Sequence, residues 1–338
     1  MILVTGGTGL VGSHLLYWLA QEQQKVRAIY RDKAGLAAVK NVFSYYTSDV
    51  ELYFSKIEWV QADIVNLISL ESAFEGITHV YHAAALVSFN PKDYFSMRKI
   101  NIDGTANVVN LCIEKGIEKL CYVSSIATLE KSSKNEPISE LSEWNAESNN
   151  YGYAITKYGA EMEVWRATQE GVPVVMVNPG VILGPGFWHQ GTGELFKKGF
   201  YNFPFYSEGV TGFVGVNDVA KAMILLMKSE VQNERFILVS ENKSFKEVLF
   251  GIADNFGKKR PFIKVNKLLA ELAWMADLLI SKISGKKIAI SKQSARASLN
   301  VYKYSSAKIK TQLNFEFEKM QDVIKQTCYS FISNMPKL

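Results

Sequence analysis

A run of small and apolar residues near the start of the chain, Ile2-Leu3-Val4-Thr5-Gly6-Gly7-Thr8-Gly9-Leu10-Val11-Gly12, constrains the fold more than any other feature. It reads as a buried strand running directly into glycines spaced three apart. In that pattern Gly6 permits a tight turn and Gly9 lets backbone N–H groups approach a pyrophosphate. Gly12 lets the next helix, about Leu10 to Gln21, pack close to the strand, with its N-terminus facing the anion. Glycine triplets alone specify little, and a bare loop also carries them. Here a strand precedes, an apolar helix follows, and a second strand, Val26-Arg27-Ala28-Ile29-Tyr30, arrives on schedule. The pattern predicts nucleotide binding, with Gly6, Gly9, Leu10, Val11 and Gly12 around the phosphates.

The alternation continues. Lys33 to Phe54 reads as a connection with helical stretches, leading to a third strand, Ile57 to Asp63. That strand ends on a carboxylate where α/β sheets bind ligands, so Asp63 with Ile64 is a candidate adenine contact. Asp63 is also placed to cap a helix from Leu67 to Phe74. A fourth strand, Thr78 to His82, runs into Ala83-Ala84-Ala85, small residues suited to close passage of a cofactor. A helix from Ile100 to Lys115, a strand from Lys119 to Val123 ending in Ser124-Ser125, and a helix from Tyr153 to Gln169 follow. A sixth strand, Val172 to Val177, stops at Asn178-Pro179-Gly180. Crossovers of helical length between apolar strands predict an α/β fold, a Rossmann-type doubly wound parallel sheet. The segment from Gly184 to Gly212 is rich in glycine and aromatic residues with little periodicity, as in a loop-rich substrate lobe. A helix opening at Val216 and a strand over Phe236 to Val239 return to the sheet. The expected division is a nucleotide-binding domain over 1–230, with an insertion at about 184–212, and a smaller, mainly helical C-terminal substrate lobe over 231–338.

Tyr153-Ala154-Ile155-Thr156-Lys157 sets a phenol and an ammonium four residues apart, on one helix face. A free tyrosine titrates near pH 10, and a nearby cation favours the phenolate, so such a pair can exchange a proton with a carbonyl or alcohol. The spacing arises by chance too: Tyr304 and Lys308 repeat it, far downstream, where a solvated helix face is the simplest reading. Tyr153 is singled out by position, because it follows a strand ending in Ser124-Ser125, and Ser125 is placed to hydrogen-bond the reacting oxygen.

Together these residues resemble the extended short-chain dehydrogenase/reductases, also called the NAD-dependent epimerase/dehydratase family. The resemblance rests on Thr5 to Gly12, Asp63-Ile64, His82 to Ala85, Asn101 with Gly104-Thr105, Ser124-Ser125, Tyr153 with Lys157, and Asn178-Pro179-Gly180. It implies Tyr153 as general acid/base, Lys157 as its pKa partner and ribose ligand, and Ser125, rather than Ser124, as the carbonyl-orienting hydroxyl. It adds Ala83, Ala84, Ala85 and Pro179 to the cofactor contacts, a proton-relay role for Asn101 beside a plain helix-stabilising one, and a homodimer through the helices near Asn101 to Lys115 and Tyr153 to Gln169. The segment Asn178 to Pro185 is similar to that of dihydroflavonol 4-reductase-like and 3β-hydroxysteroid dehydrogenase-like members. Ser125-Ile126-Ala127 lacks the Thr-Asp-Glu arrangement of the sugar-nucleotide dehydratases. The expectation is an NADPH-dependent reductase of a carbonyl; a sugar-nucleotide epimerase and a non-catalytic NADP(H)-sensing protein are the rivals.

Tyr30 stands where an acidic residue would bind the ribose 2′-hydroxyl of NAD, and Arg31 follows. A guanidinium suits a 2′-phosphate, so NADP is expected, with NAD as the alternative and Asp32 as a competing partner for Arg31. His82 closes a strand and reads as a structural hydrogen-bonding residue. The histidines are scattered, so no metal site is expected. Phe187, Trp188, Phe200, Tyr201, Phe203, Phe205 and Tyr206 either line a substrate pocket or form the core of the small lobe.

Net charge of +5 over 338 residues is too little to argue for nucleic acid. Three cysteines without ligand spacing, and a strand beginning at Ile2, point to a cytoplasmic protein with reduced thiols and a small-molecule substrate. Lys258 to Lys310 carries 13 Lys and Arg against Glu271 and Asp277, around an apolar stretch from Leu268 to Ile283. That stretch either packs on the lobe or makes a weak peripheral contact with an anionic membrane.

Overall fold

The computed structural model describes residues 1–130, 136–147, 150–271, 274–275 and 298–334. Its centre is a seven-stranded, wholly parallel sheet. In chain order the strands are β1 (Ile2–Thr5), β2 (Val26–Tyr30), β3 (Ile57–Gln61), β4 (His79–His82), β5 (Lys119–Val123), β6 (Val174–Pro179) and, after three strands outside this sheet, β10 (Glu234–Leu238). They lie in the order β10-β6-β5-β4-β1-β2-β3. Chain direction across the sheet reverses between β1 and β4, where Thr5 pairs with His82, and the crevice of such a sheet opens at the carboxyl ends of these two strands.

Both faces of the sheet are covered, which is why its strands are apolar almost throughout rather than alternating. Helices α1 (Leu10–Gln21) and α9 (Val216–Lys228) bury Leu15, Leu19, Val219 and Met223 against one face. The other face is packed by α6 (Gly104–Glu114) and α7 (Gly152–Gln169) through Val108, Cys112, Ala160 and Val164. In front of the sheet lies a smaller lobe. It is built on a three-stranded sheet of β7 (Val181–Leu183), β9 (Val210–Gly215) and β11 (Glu241–Ser244), with helices α8 (Gly193–Phe200), α10 (Phe245–Asn255) and α12 (Met320–Ser333). A capping box between Ser244 and Glu247 starts α10.

Four local expectations change. The third strand ends at Gln61, because the last ladder bond is Ala62 N–H to the Tyr30 carbonyl, and Asp63 turns its carboxylate onto the Val65 N–H. Asn66, not Asp63, caps α4 (Leu67–Ala73), accepting from the Ser69 N–H at 3.1 Å. The helix expected from Ile100 begins earlier: α5 (Tyr94–Arg98) passes through a π-helical stretch, Lys99–Asp103, into α6. Tyr304 and Lys308 are not on a solvated helix face. Tyr304 is buried among Ile126, Leu129, Ile138, Ile237 and Val239, while Lys308 Nζ donates to the Arg235 carbonyl and pairs with Glu234.

Within the loop-rich segment α8 forms because Phe196 is fully buried and Phe200 packs in the lobe's core. Trp188 lies edge-on to Phe331 at 5.0 Å, and Phe200 contacts Phe256 and Phe331 at 5.3 and 5.4 Å, so these members of the aromatic cluster are core. Phe331→Ala should cost about 3–5 kcal/mol of stability, read as a lowered urea midpoint; an unchanged midpoint would contradict this packing. Most of Leu268 to Ile283 lies outside the described residues.

Candidate active site

The glycines at the crevice do different work. Gly6 has φ +71°, and a Cβ there would stand 2.5 Å from the Ala84 nitrogen and 2.6 Å from the Ala83 carbonyl carbon. The turn after β1 is thus pressed onto the small residues leaving β4. A Cβ on Gly12 would lie 2.2 Å from the Gly6 carbonyl oxygen, so helix α1 approaches this closely only with glycine there. Gly9 differs: its backbone is extended, and a Cβ would meet nothing of the protein closer than the Gly6 oxygen at 3.4 Å. No side chain caps the start of α1 and no acidic residue lies in its first turn. A helix terminus of this kind, with Leu10, Val11 and Gly12 supplying N–H groups, fits a pyrophosphate.

Around this cradle the remaining predicted cofactor residues take defined places. Ile64 is buried, its carbonyl accepting from Asn107 Nδ2 at 2.9 Å, and Asp63 is half-buried beside it. Arg31 is exposed and forms no ion pair among the described residues; Asp32 accepts from the Ala34 N–H at 3.0 Å instead. Ala85 is exposed at the mouth, and Pro179 ends β6 opposite Leu238. His82 is fully buried between two hydroxyls, Thr5 Oγ1 on Nδ1 at 2.6 Å and Thr105 Oγ1 on Nε2 at 2.9 Å. Burial pushes its imidazole down to about 3, which keeps it neutral near pH 7.

Ser125 follows β5 in extended conformation and starts a short 3₁₀ turn, Ile126–Thr128. Its hydroxyl accepts from the Ala127 N–H at 3.1 Å. Tyr153 and Lys157 lie one turn apart on α7. Asn101, in the π-helical stretch, braces the same helix: its Nδ2 donates to Thr156 Oγ1 at 3.1 Å and to the Leu86 carbonyl at 3.0 Å, and its Oδ1 accepts from the Leu86 N–H at 2.7 Å. That use of its amide accounts for its burial. The Tyr153 ring sits beside Tyr151 and Phe89, at centroid distances of 6.2 and 6.4 Å.

The electrostatics depart from expectation. Burial raises the Tyr153 phenol above its usual value, with Ser125 acting the other way. The Lys157 ammonium is turned to the end of β5, where Nζ donates to Tyr122 Oη at 2.6 Å and to the Val123 carbonyl at 2.7 Å, 4.3 Å from the centre of the Tyr122 ring. Burial lowers this lysine to about 7, and Glu161 opposes the shift. Tyr122, Glu161 and Arg235 are site residues that the sequence reading missed. For Glu161 a signal existed, since Tyr153, Lys157 and Glu161 follow the same four-residue step. Among the described residues no cluster of His, Cys, Asp or Glu could hold a metal ion, and no helix is long and apolar enough to cross a membrane.

A parallel sheet with this strand order, a glycine cradle at its switch point and a serine, tyrosine and lysine at the next strand end define a class. The chain belongs to the NAD dependent epimerase/dehydratase family, whose profile matches residues 2–238. It is an NAD(P)-dependent enzyme of the short-chain dehydrogenase/reductase type. It is similar to a Synechocystis protein provisionally named a dihydroflavonol 4-reductase, with 26% identity over 97% of this chain and 93% of the relative. Anthocyanidin reductase of Arabidopsis thaliana shares 27% identity over 72% of this chain and 77% of its own. The fold matches UDP-glucose 4-epimerase of Thermus thermophilus, solved in complex with NAD, with a TM-score of 0.75, 20% identity and coverage of 99% of both chains.

Proposed function

We propose that the protein reduces a carbonyl compound to a secondary alcohol with NADPH, using Ser125, Tyr153 and Lys157. The observation that carries this reading is that Ser125 follows β5, Tyr153 is beside it, and Lys157 Nζ donates to the Val123 carbonyl at the end of the same strand at 2.7 Å. The nicotinamide, when bound, supplies the hydride. Ser125 orients the carbonyl oxygen and Tyr153 delivers the proton to it. Burial raises the phenol above its usual value, so it is protonated at neutral pH and has a proton to give when a carbonyl is reduced. Lys157, one helical turn from Tyr153, is assigned to the phenolate through its charge rather than a hydrogen bond, since two of its protons go to Tyr122 Oη and the Val123 carbonyl, and its third is assigned to the ribose hydroxyls. Asp63 and Ile64 are assigned to the adenine, and Ala83, Ala84, Ala85 and Pro179 to close passage along the cofactor. The relatives named as reductases support the reaction class. Sugar-nucleotide epimerisation is the second reading, favoured by the fold shared with an NAD-bound epimerase. A non-catalytic sensor is less suited to a chain that retains all three residues. Loss of reduced-nicotinamide absorbance with a panel of carbonyl compounds tests the reading, and no oxidation with any of them would count against it.

NADP(H) is assigned through Arg31, which follows β2, is exposed and forms no ion pair among the described residues, so that its guanidinium suits the 2′-phosphate. Arg31→Ala should weaken NADPH binding about tenfold or more, the value of a charge-assisted hydrogen bond, and leave NADH unchanged. Equal affinities for the two in the wild type, or a variant with unaltered preference, would return the assignment to NAD. The same reading takes residues 1–230, apart from the insertion at about 184–212, as the cofactor unit and 231–338 as the substrate lobe, except that β10 belongs to the cofactor unit's sheet. It takes the protein as a cytoplasmic homodimer through the helices near Asn101 to Lys115 and Tyr153 to Gln169, the second of which leaves Ile155 and Met162 exposed. Peripheral contact of the basic C-terminal lobe with anionic lipid would suit an apolar carbonyl substrate.

A further inference from the structure

Glu161 is fully buried, one helical turn past Lys157. Its carboxylate gathers four donors from four elements. Oε2 accepts from Ser124 Oγ at 2.6 Å, Thr128 Oγ1 at 2.8 Å and Asn178 Nδ2 at 3.2 Å, and Oε1 accepts from Arg235 Nη1 at 3.0 Å. Arg235 is itself fixed by the carbonyls of Glu140 and Ser142 at 2.9 Å each. Asn178 Nδ2, with two protons, also donates to the Ser125 carbonyl at 3.1 Å, and the single proton of Thr128 Oγ1 is shared between Glu161 Oε2 and that carbonyl, 2.9 Å away. One cluster therefore holds both the buried carboxylate and the backbone of the serine that faces Tyr153. Packing alone does not call for such a group, because a buried ion pair is commonly replaceable by apolar residues of similar volume without loss of stability.

We propose that Glu161 is a positioning residue of this site, whose carboxylate fixes the turn carrying Ser125 and the face of α7 that carries Lys157. The role rests on the assignment of Ser125, Tyr153 and Lys157 given above. The groups facing Lys157 are the Tyr122 hydroxyl and Val123 carbonyl from β5, His82 from β4, and Tyr153 and Glu161 from α7. Those facing Glu161 are Arg235 from β10 and Tyr122 from β5. Of these, Glu161 is the group that supports the ammonium against burial, which has lowered Lys157 to about 7. His82 is held neutral and Tyr122 is pushed well up, so neither supplies a compensating charge near neutrality. The ammonium is present below the lysine's pKa and lost above it. Removing the carboxylate charge lowers that pKa further, so the alkaline limb of activity moves to lower pH.

The test is Glu161→Gln, which keeps the shape and removes the charge, beside the double variant Glu161→Gln/Arg235→Gln, which leaves no buried cation unpaired. Two readouts are taken: kcat/KM against pH, and NADPH affinity against pH by fluorescence titration. Both variants should show alkaline limbs displaced downward by about one pH unit or more, with the single variant displaced furthest because the Arg235 charge then remains in the cluster with no carboxylate to offset it. Folded variants that keep the wild-type limbs overturn the proposal, whatever their stability. If the single variant does not fold, the double variant decides by the same criterion. If neither folds, Glu161 is a structural residue and the proposal falls. An active Tyr153→Phe would remove the underlying assignment, whereas an inactive one with an unmoved Glu161→Gln limb removes only the role given to Glu161.

Discussion

Tyr153→Phe should lower turnover about 100- to 10,000-fold, the usual worth of a positioned acid or base, while cofactor affinity changes by less than a few-fold. The substitution removes one hydroxyl and keeps the ring that packs beside Tyr151 and Phe89. Its fold should therefore survive, and a melting curve serves as the control. The proton is needed because hydride addition to a carbonyl leaves an alkoxide, which has no other donor assigned among the residues at the end of β5. Ser125 accepts from the Ala127 N–H and keeps its own proton to polarise the oxygen, but an aliphatic hydroxyl is a much weaker acid than a phenol and does not give that proton up. Activity within a few-fold of the wild type would remove Tyr153 from the chemistry.

Gly9→Ala and Gly12→Ala should separate the two uses of glycine at the cradle. Gly12→Ala puts a methyl 2.2 Å from the Gly6 oxygen and 2.8 Å from the Gly7 Cα, both backbone atoms that cannot step aside. Helix α1 must then shift, at about 1–3 kcal/mol of stability, and cofactor binding falls with it. Gly9→Ala meets nothing closer than 3.4 Å and needs no special backbone angle. Its melting temperature should stay near the wild-type value, while NADPH affinity drops about tenfold to a hundredfold because the methyl occupies the path of the phosphates. Calorimetric titration of both variants decides: a Gly9→Ala protein that binds like the wild type would mean that the phosphates lie elsewhere.

What could be read from the sequence was local. Strands β1, β2 and β5 and helix α1 fall at the expected residues, because an apolar run bounded by glycine or a polar turn leaves few alternatives at that scale. Tyr153 and Lys157 fall on one helix, as their spacing suggests, and that helix brings Lys157 Nζ to the Val123 carbonyl at the end of β5. What failed to show depends on partners far along the chain. The π-helical stretch carries Asn101, whose amide is satisfied by Leu86 and Thr156. Lys157 donates to Tyr122 and to the Val123 carbonyl, partners on β5 that the four-residue spacing along α7 does not show. Glu161 was overlooked because its meaning comes from Arg235 and Asn178, which only the folded sheet brings to it. Tyr304 and Lys308 looked solvated for the same reason: Tyr304 bridges to Ile138, and Lys308 reaches the Arg235 carbonyl.

The most direct test of the central claim is isotopic. Purified protein is given NADPH carrying deuterium at the transferable position of the nicotinamide, with a panel of carbonyl compounds and a UDP-hexose, and the products are weighed by mass spectrometry. Carbonyl reduction predicts one deuterium on the carbinol carbon of an alcohol product, formed in step with NADPH oxidation and lost in Tyr153→Phe. An epimerised sugar nucleotide with no net oxidation of the cofactor, and no labelled alcohol from any carbonyl compound, would contradict it.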